Sequence, residues 1–227
     1  MPSRIVPFVN GHYYHIYNRG VEKRPIFEGN WDQTRLMKTI QYYQLSGPKP
    51  RLSIFLKYKT FKPDPGKKIV EIISYCLMPN HFHFLIKQTK DGGITEFVSK
   101  LSNSYTKFYN TKYHRVGPLL QGEFKSVLVE TDEQLIHLSR YIHLNPVASL
   151  IVKDLNQYKW SSYHEYVENK NGICSKEEIM NFFKTPQDYQ KFVLDQADYA
   201  KELEKIKHQL LEEDTYTSYT LTHFKIS

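Results

Sequence analysis

Short apolar and aromatic segments separated by turn residues predict the strands of a β-sheet. Side chains on a strand alternate between two faces, and clusters of glycine, proline and asparagine mark where such a segment ends. The clearest case is a hairpin, because apolar segments flank Met78-Pro79-Asn80 on both sides. Five strands are predicted in all, at His12–Asn18, Arg51–Tyr58, Ile69–Leu77, His81–Gln88 and Glu123–Glu130.

Apolar residues at helical spacing predict two helices between these strands. One covers Trp31–Leu45, and the other covers Ile94–Tyr113 with an apolar stripe that includes Phe97 and Leu101. The resulting order, β-α-β-β-β-α-β, is close to the split βαβ plan. We therefore predict an α+β fold of the ferredoxin-like kind, with an antiparallel sheet, helices on one face and a C-terminal helical extension.

A third helix follows the last predicted strand and carries an unusual polar stripe. Thr131 and Gln134 have the spacing of a capping box, which predicts that the helix begins there. Pro146 disfavours helical geometry in the residue before it, so we expect the helix to end at Asn145. His137, Tyr141 and Asn145 are four residues apart and are therefore expected on one side of this helix.

Charge is distributed unevenly along the 227 residues. The net charge of +7 is made up of +11 for residues 1–164 and −4 for residues 165–227. We therefore predict two parts, a basic domain over 1–164 that binds a polyanion and an acidic, mainly helical extension over 165–227. Aromatic residues make up 15% of the chain, which suits base stacking on single strands, although most such rings are expected in the core.

Several classes of protein are excluded by composition. Two cysteines are too few for a disulfide framework or a cysteine-based zinc site. No segment approaches the roughly 20 apolar residues of a membrane helix, and the N-terminus lacks the apolar core of a signal peptide. The sequence predicts a soluble cytoplasmic protein without a membrane partner.

The segment after the hairpin turn contains two histidines that a strand would place on the same face. His81 and His83 alternate with Phe82, so the phenyl ring is expected in the core and both imidazoles on the opposite side. Two such imidazoles can bind one divalent cation. The pattern alone also fits two hydrogen-bonded histidines on a half-exposed strand.

Three motifs in order resemble those of a known family. MPNHFHFLIK, RYIHLNPVASLIV and WSSYHEY resemble the single-tyrosine HUH transposases, in particular their REP-associated tyrosine transposase branch. HUH stands for His-hydrophobic-His, which His81-Phe82-His83 matches. The resemblance runs from about Tyr14 to Tyr166 and leaves the C-terminal extension outside.

The resemblance implies a metal-dependent endonuclease and strand transferase that acts on single-stranded DNA, at hairpin-forming repeats. It implies Tyr141 as the nucleophile that becomes joined to the 5′-phosphate. It also implies His81, His83 and Asn145 as ligands of Mg²⁺ or Mn²⁺. The alternative function is that of a domesticated protein that binds single-stranded nucleic acid without catalysis.

Several roles stay open from the sequence. Asn145 could bind the metal or cap the helix, and His137 could transfer a proton or simply bond a neighbour. The protein could be a monomer or a homodimer. Six basic residues are predicted to contact DNA, namely Arg19, Lys107, Lys112, Arg115, Lys125 and Arg140.

Overall fold

The computed structural model describes residues 7–58, 64, 66–198 and 201. Its centre is a four-stranded sheet in which every pair of neighbours is antiparallel. The strands are β1 (Tyr13–Arg19), β2 (Val70–Met78), β3 (His81–Gln88) and β4 (Lys125–Val129), in the spatial order β2-β3-β1-β4. The first strand of the chain therefore lies in the middle of the sheet, between two strands that follow it in sequence.

Seven α-helices surround this sheet in the described residues. They are α1 (Asn30–Tyr43), α2 (Leu52–Tyr58), α3 (Gly93–Lys112), α4 (Asp132–Ala148), α5 (Tyr163–Val167), α6 (Glu177–Met180) and α7 (Pro186–Leu194). Helix α1 connects β1 to β2 and helix α3 connects β3 to β4, as the split βαβ plan requires. The predicted fold class is thereby confirmed.

The sheet has a separate apolar core on each face. Phe82 and Phe84 point to the first core, where they pack with Phe97 and Leu101 of α3 and with Ile40 of α1. The two helices of the split βαβ plan thus share one face, as predicted.

The helices that follow β4 cover the other face of the sheet. Leu85 of β3 and Met78 of β2 pack there with Ile142 of α4, Tyr163 of α5 and Tyr189 of α7. The boundary predicted at residue 164 falls within α5. Of the C-terminal extension, residues 199–200 and 202–227 lie outside the described part of the chain.

The predicted strand Arg51–Tyr58 is wrong, because Leu52–Tyr58 forms helix α2 outside the sheet. The apolar residues Leu52, Phe55 and Leu56 have helical spacing, so the sequence held this signal. Leu52 is buried and Phe55 stacks on Tyr42 of α1, with ring centroids 4.8 Å apart. Part of the loop predicted after this segment, residues 59–63 and 65, lies outside the described residues.

The predicted end of helix α4 at Asn145 is also wrong, because the helix continues through Pro146 to Ala148. Proline lacks the backbone N–H that would bond to the preceding turn, which usually ends a helix. Here Pro146 and Val147 are buried, and the Asn145 side chain adds a hydrogen bond to the Tyr141 carbonyl. Tertiary packing therefore outweighs the local cost of the proline.

None of the helices in the described residues is both long and apolar enough to cross a membrane.

Candidate active site

The register of the sheet brings polar side chains of three strands to the face that carries α4. On β3, His81 is directly opposite Arg19 of β1, and His83 is opposite Tyr17. Tyr17 is in turn opposite Lys125 of β4. Directly paired residues point to the same face of a sheet, so these side chains form one polar patch beside α4.

His81 and His83 lie side by side on this face. Their ring centroids are 4.9 Å apart and the rings are nearly perpendicular, at 89°. His81 is partly exposed, whereas only 6% of His83 is accessible to solvent.

A neighbouring amide determines which nitrogen of His81 carries the proton. The His81 Nδ1 atom lies 2.6 Å from the Asn80 side-chain oxygen, which can only accept. The Asn80 amide nitrogen donates to the Lys23 carbonyl at 3.1 Å, which fixes the orientation of the amide. In a neutral His81 ring the lone pair is therefore on Nε2, the arrangement that metal-binding histidines commonly show.

Tyr141 reaches the histidine pair from helix α4. Its ring lies against His83 with centroids 5.6 Å apart and an interplanar angle of 83°. Ile142, the next residue, is buried in the second core and holds the helix on the sheet. The side chain is not enclosed by the protein, because 49% of Tyr141 is exposed. The structure thus brings together His81, His83 and Tyr141 within one chain.

His15 of β1 belongs to this cluster, although sequence analysis did not select it. Its Nε2 atom lies 2.9 Å from Nδ1 of His83, and the two rings are stacked with centroids 5.1 Å apart. The same ring lies 4.8 Å from Tyr17 and 6.1 Å from Tyr141. Burial lowers the pKa of His15 to about 4, so the ring is neutral at pH 7.

Asn145 lies one helical turn after Tyr141 and is buried. Its Nδ2 atom donates to the Tyr141 carbonyl at 2.8 Å, and the helix cap is Ser149. The interpretation of Asn145 as the helix cap is therefore wrong. Its role as a ligand stays a prediction, to which the Oδ1 atom would contribute.

His137 contacts residues of α4 and α7. Its Nδ1 accepts from Arg140 at 2.5 Å, and its ring packs against Phe192 with centroids 5.6 Å apart. Arg140 also lies over the Phe192 ring, at 4.2 Å, and donates to the Phe192 carbonyl. These contacts give both residues a structural role, and their predicted parts in proton transfer and DNA binding stay predictions.

The other predicted DNA contacts lie on different sides of the molecule. Arg19 and Lys125 are exposed on the strands of the site face. Lys107 and Lys112 belong to α3, which packs on the opposite face.

Lys112 pairs with the buried carboxylate of Asp32 at 2.6 Å, and this hydrogen bond raises the pKa of the lysine. Arg115, just after α3, lies over the ring of Tyr109. Arg19 and Lys125 are therefore the two predicted contacts closest to the histidine pair in the sheet register.

The predicted donor set would supply only part of a metal shell. The described residues contain no group of three or more histidine, cysteine, aspartate or glutamate side chains placed to hold a metal ion. Two imidazoles and one amide oxygen, from His81, His83 and Asn145, would leave positions for water and substrate phosphate, as Mg²⁺ usually requires. Imidazole ligands suit Mn²⁺ at least as well.

Comparison with known proteins finds a family that a segment of this chain matches. Residues 58–145 match the model of a family described as IS200-like transposases. This match confirms the predicted resemblance to the single-tyrosine transposases. A search of the curated proteins found no match.

The solved structures that are similar to this chain include two transposases. A REP-associated tyrosine transposase, whose structure was determined bound to a REP hairpin, is 14% identical with a TM-score of 0.54. The alignment covers 76% of this chain and 90% of that one, and it shows a shared fold. A candidate transposase from Deinococcus radiodurans R1 is also 14% identical, with 62% and 95% coverage, but its TM-score is only 0.35.

Proposed function

We propose that this chain, whose residues 58–145 match the model of the IS200-like transposase family, cleaves and rejoins single-stranded DNA through a tyrosine nucleophile. The observation that carries the proposal is the contact of the Tyr141 ring with His83, beside His81, on one face of the sheet. Hairpin-forming DNA is the proposed substrate, because the similar REP-associated transposase was solved with a REP hairpin.

The reaction begins with the hydroxyl oxygen of Tyr141. That oxygen attacks the scissile phosphorus, and the bond from phosphorus to the 3′-oxygen breaks. The phenolic proton passes to water, and the departing 3′-oxygen takes up a proton. The products are a tyrosine ester of the 5′-phosphate and a free 3′-hydroxyl, and attack by another 3′-hydroxyl reverses the step and joins strands.

A phenol needs help in this reaction, because its usual pKa is about 10 and little phenolate exists at pH 7. His81, His83 and Asn145 would hold a divalent cation of the Mg²⁺ or Mn²⁺ type. When bound, such a cation offsets the charge that develops on the phosphoryl oxygens. Arg19 and Lys125 flank the histidine pair in the sheet register and would neutralise phosphates of the bound strand.

The first prediction is that the protein becomes covalently joined to DNA in the presence of Mn²⁺. Hairpin oligonucleotides from the DNA that flanks the gene are labelled at either end and analysed on a denaturing protein gel. The 3′-end label should migrate with the protein, whereas the 5′-end label should appear in a shorter free strand. Tyr141→Phe should abolish the protein-linked band, and His81→Ala should reduce it at least 100-fold.

A matched control is Tyr58→Phe, which removes the same hydroxyl from an exposed tyrosine on α2. It should form the adduct as the unaltered protein does. Tight binding of the hairpins without any covalent product would contradict the proposal and support a non-catalytic DNA-binding protein. A free 5′-phosphate product from both the unaltered protein and Tyr141→Phe, without any adduct, would indicate hydrolysis by water instead.

A further inference from the structure

We propose that His15 is a positioning residue that holds His83 in its metal-binding tautomer and orients it toward Tyr141. This inference rests on the proposed function and adds to it a residue outside the segment that matches the transposase family. The observation is the 2.9 Å approach of His15 Nε2 to His83 Nδ1.

The geometry of this contact limits which nitrogen of His83 can bind a metal. Nδ1 of His83 is occupied by His15, so the metal-binding nitrogen is Nε2. A neutral imidazole has one proton, and a nitrogen that binds a metal cannot carry it. His83 must then hold its proton on Nδ1 and donate it to Nε2 of His15.

The two histidines of the pair are consequently held in the same way. His81 donates from Nδ1 to the Asn80 oxygen, and His83 donates from Nδ1 to His15. Both hydrogen bonds fix the ring plane and place the lone pair on Nε2. Groups that do this for metal-binding histidines typically contribute 10- to 100-fold to metal affinity.

His15 also connects the histidine pair to the nucleophile. Its ring stacks on His83 at an interplanar angle of 20° and meets Tyr141 nearly edge-on, at 80°. The Tyr17 ring stacks on both histidines, with its centroid 4.8 Å from that of His15 and 5.9 Å from that of His83. His15 therefore contacts a residue from each half of the proposed site, the metal-binding strand and the tyrosine helix.

Two substitutions separate the hydrogen bond from the packing. His15→Phe keeps a ring in the stack and removes the acceptor, whereas His15→Gln places a polar side-chain atom at a reach similar to that of Nε2. Metal binding is measured with Mn²⁺ alone by electron paramagnetic resonance. The tautomer of His83 is measured in metal-free protein from its ring ¹⁵N chemical shifts.

We expect His15→Phe to weaken Mn²⁺ binding at least 10-fold and to give a mixture of His83 tautomers. Binding of the hairpin without metal should change less than twofold, and thermal unfolding should show that the protein is folded. His15→Gln should restore part of the Mn²⁺ affinity. Adduct formation by His15→Phe should become faster at high Mn²⁺ concentration.

Different results would overturn different claims. If the unaltered protein forms the adduct and His15→Phe binds Mn²⁺ as tightly, with His83 in the same tautomer, the positioning role of His15 is wrong. If the unaltered protein shows the expected His83 tautomer but neither binds Mn²⁺ nor forms an adduct, the proposed function is wrong. The same result overturns the metal-positioning role of His15, since His15 would then be a structural neighbour only.

Discussion

His143, two residues after Tyr141, is fully buried between α4 and the helices that follow it. Its Nε2 atom lies 2.7 Å from the Ser162 hydroxyl, and its Nδ1 atom lies 2.7 Å from the Tyr189 hydroxyl. A neutral ring satisfies both partners with one donor and one acceptor. Burial lowers the pKa of His143 to about 3, so a charge is strongly disfavoured there.

We therefore predict that the free energy of unfolding decreases as the pH falls below 6.5. The unfolded chain binds a proton at His143 below that pH, whereas the folded protein binds it only near pH 3, so stability is lost through this window. His15, whose pKa is also lowered, contributes with the same sign. The titratable groups that face His143 are Tyr163, Tyr166, His164 and Tyr189.

Urea unfolding between pH 7 and pH 4.5 measures this effect. His143→Gln should lower stability at pH 7 by about 1–3 kcal/mol, because it disturbs a buried hydrogen-bonded group. The free energy of unfolding of this variant should nevertheless change less with pH than that of the unaltered protein. The control is His12→Gln at an exposed position, and parallel curves for the unaltered protein and His143→Gln would refute the assignment.

At the scale of residues, the side-chain alternation within a strand could be predicted from the sequence, whereas the register between strands could not. The alternation of β3 placed His81 and His83 on one face without any knowledge of the rest of the fold. The partner of His83 is 68 residues earlier in the chain, on a strand whose register the sequence does not encode locally. His15 was therefore invisible as a site residue, although β1 itself was predicted.

At the scale of elements, the turn before β3 is held by the loop that follows β1. Gly20 donates to the Asn80 carbonyl at 2.7 Å, and Ile26 donates to the Pro79 carbonyl at 2.9 Å. A Cβ atom on Gly20 would lie 2.2 Å from the backbone oxygen of Arg24. A backbone atom cannot move aside as a flexible side chain can, so only glycine fits without a shift of the loop.

Gly20→Ala is accordingly predicted to destabilise the protein by about 1–3 kcal/mol, the usual cost of overpacking. Thermal or urea unfolding measures the loss. Gly29→Ala is the comparison, because a Cβ atom there meets nothing within 4 Å and the backbone is extended. Gly29 is the N-cap of α1, so a smaller loss is expected from the weaker cap alone. Equal losses for the two variants would show that the close approach at Gly20 is not the cause.

Most helices and strands of the fold were predictable from periodicity and turn residues. The exceptions are segments in which the local pattern was ambiguous or misleading and tertiary packing determined the conformation. Leu52–Tyr58 has a short apolar pattern that fits either a strand or a helix, and its contact with Tyr42 selects the helix. Pro146 would end an isolated helix, but here the buried end of α4 retains its helical conformation.

At the scale of the whole molecule, the second core determines where the nucleophile lies. Tyr189 of α7 is fully buried and contacts both His143 and Ser139 of α4. The sequence predicted a charge boundary near residue 164. It could not show that residues beyond this point pack against the tyrosine helix, because that packing joins segments about 50 residues apart.

This packing predicts that one chain supplies a complete site. A mixture of Tyr141→Phe with His81→Ala should remain as inactive as either variant alone in the adduct assay. Restored adduct formation would mean that helix α4 passes between two copies of the protein. Mixing the unaltered protein with Tyr141→Phe serves as the control and should give adduct in proportion to the unaltered protein.

The position of β1 in the sheet has a consequence for how the protein forms during synthesis. This strand leaves the ribosome first, yet both of its neighbours, β3 and β4, follow it by more than 60 residues. Such long-range pairing is slow, because the chain loses conformational entropy on closing large loops before any contact compensates for that loss. The nascent chain therefore carries β1 without either neighbour until β3 has emerged, and one edge of this central strand stays open until residue 129 has emerged. The contact between His15 and His83 belongs to the first of these two pairings.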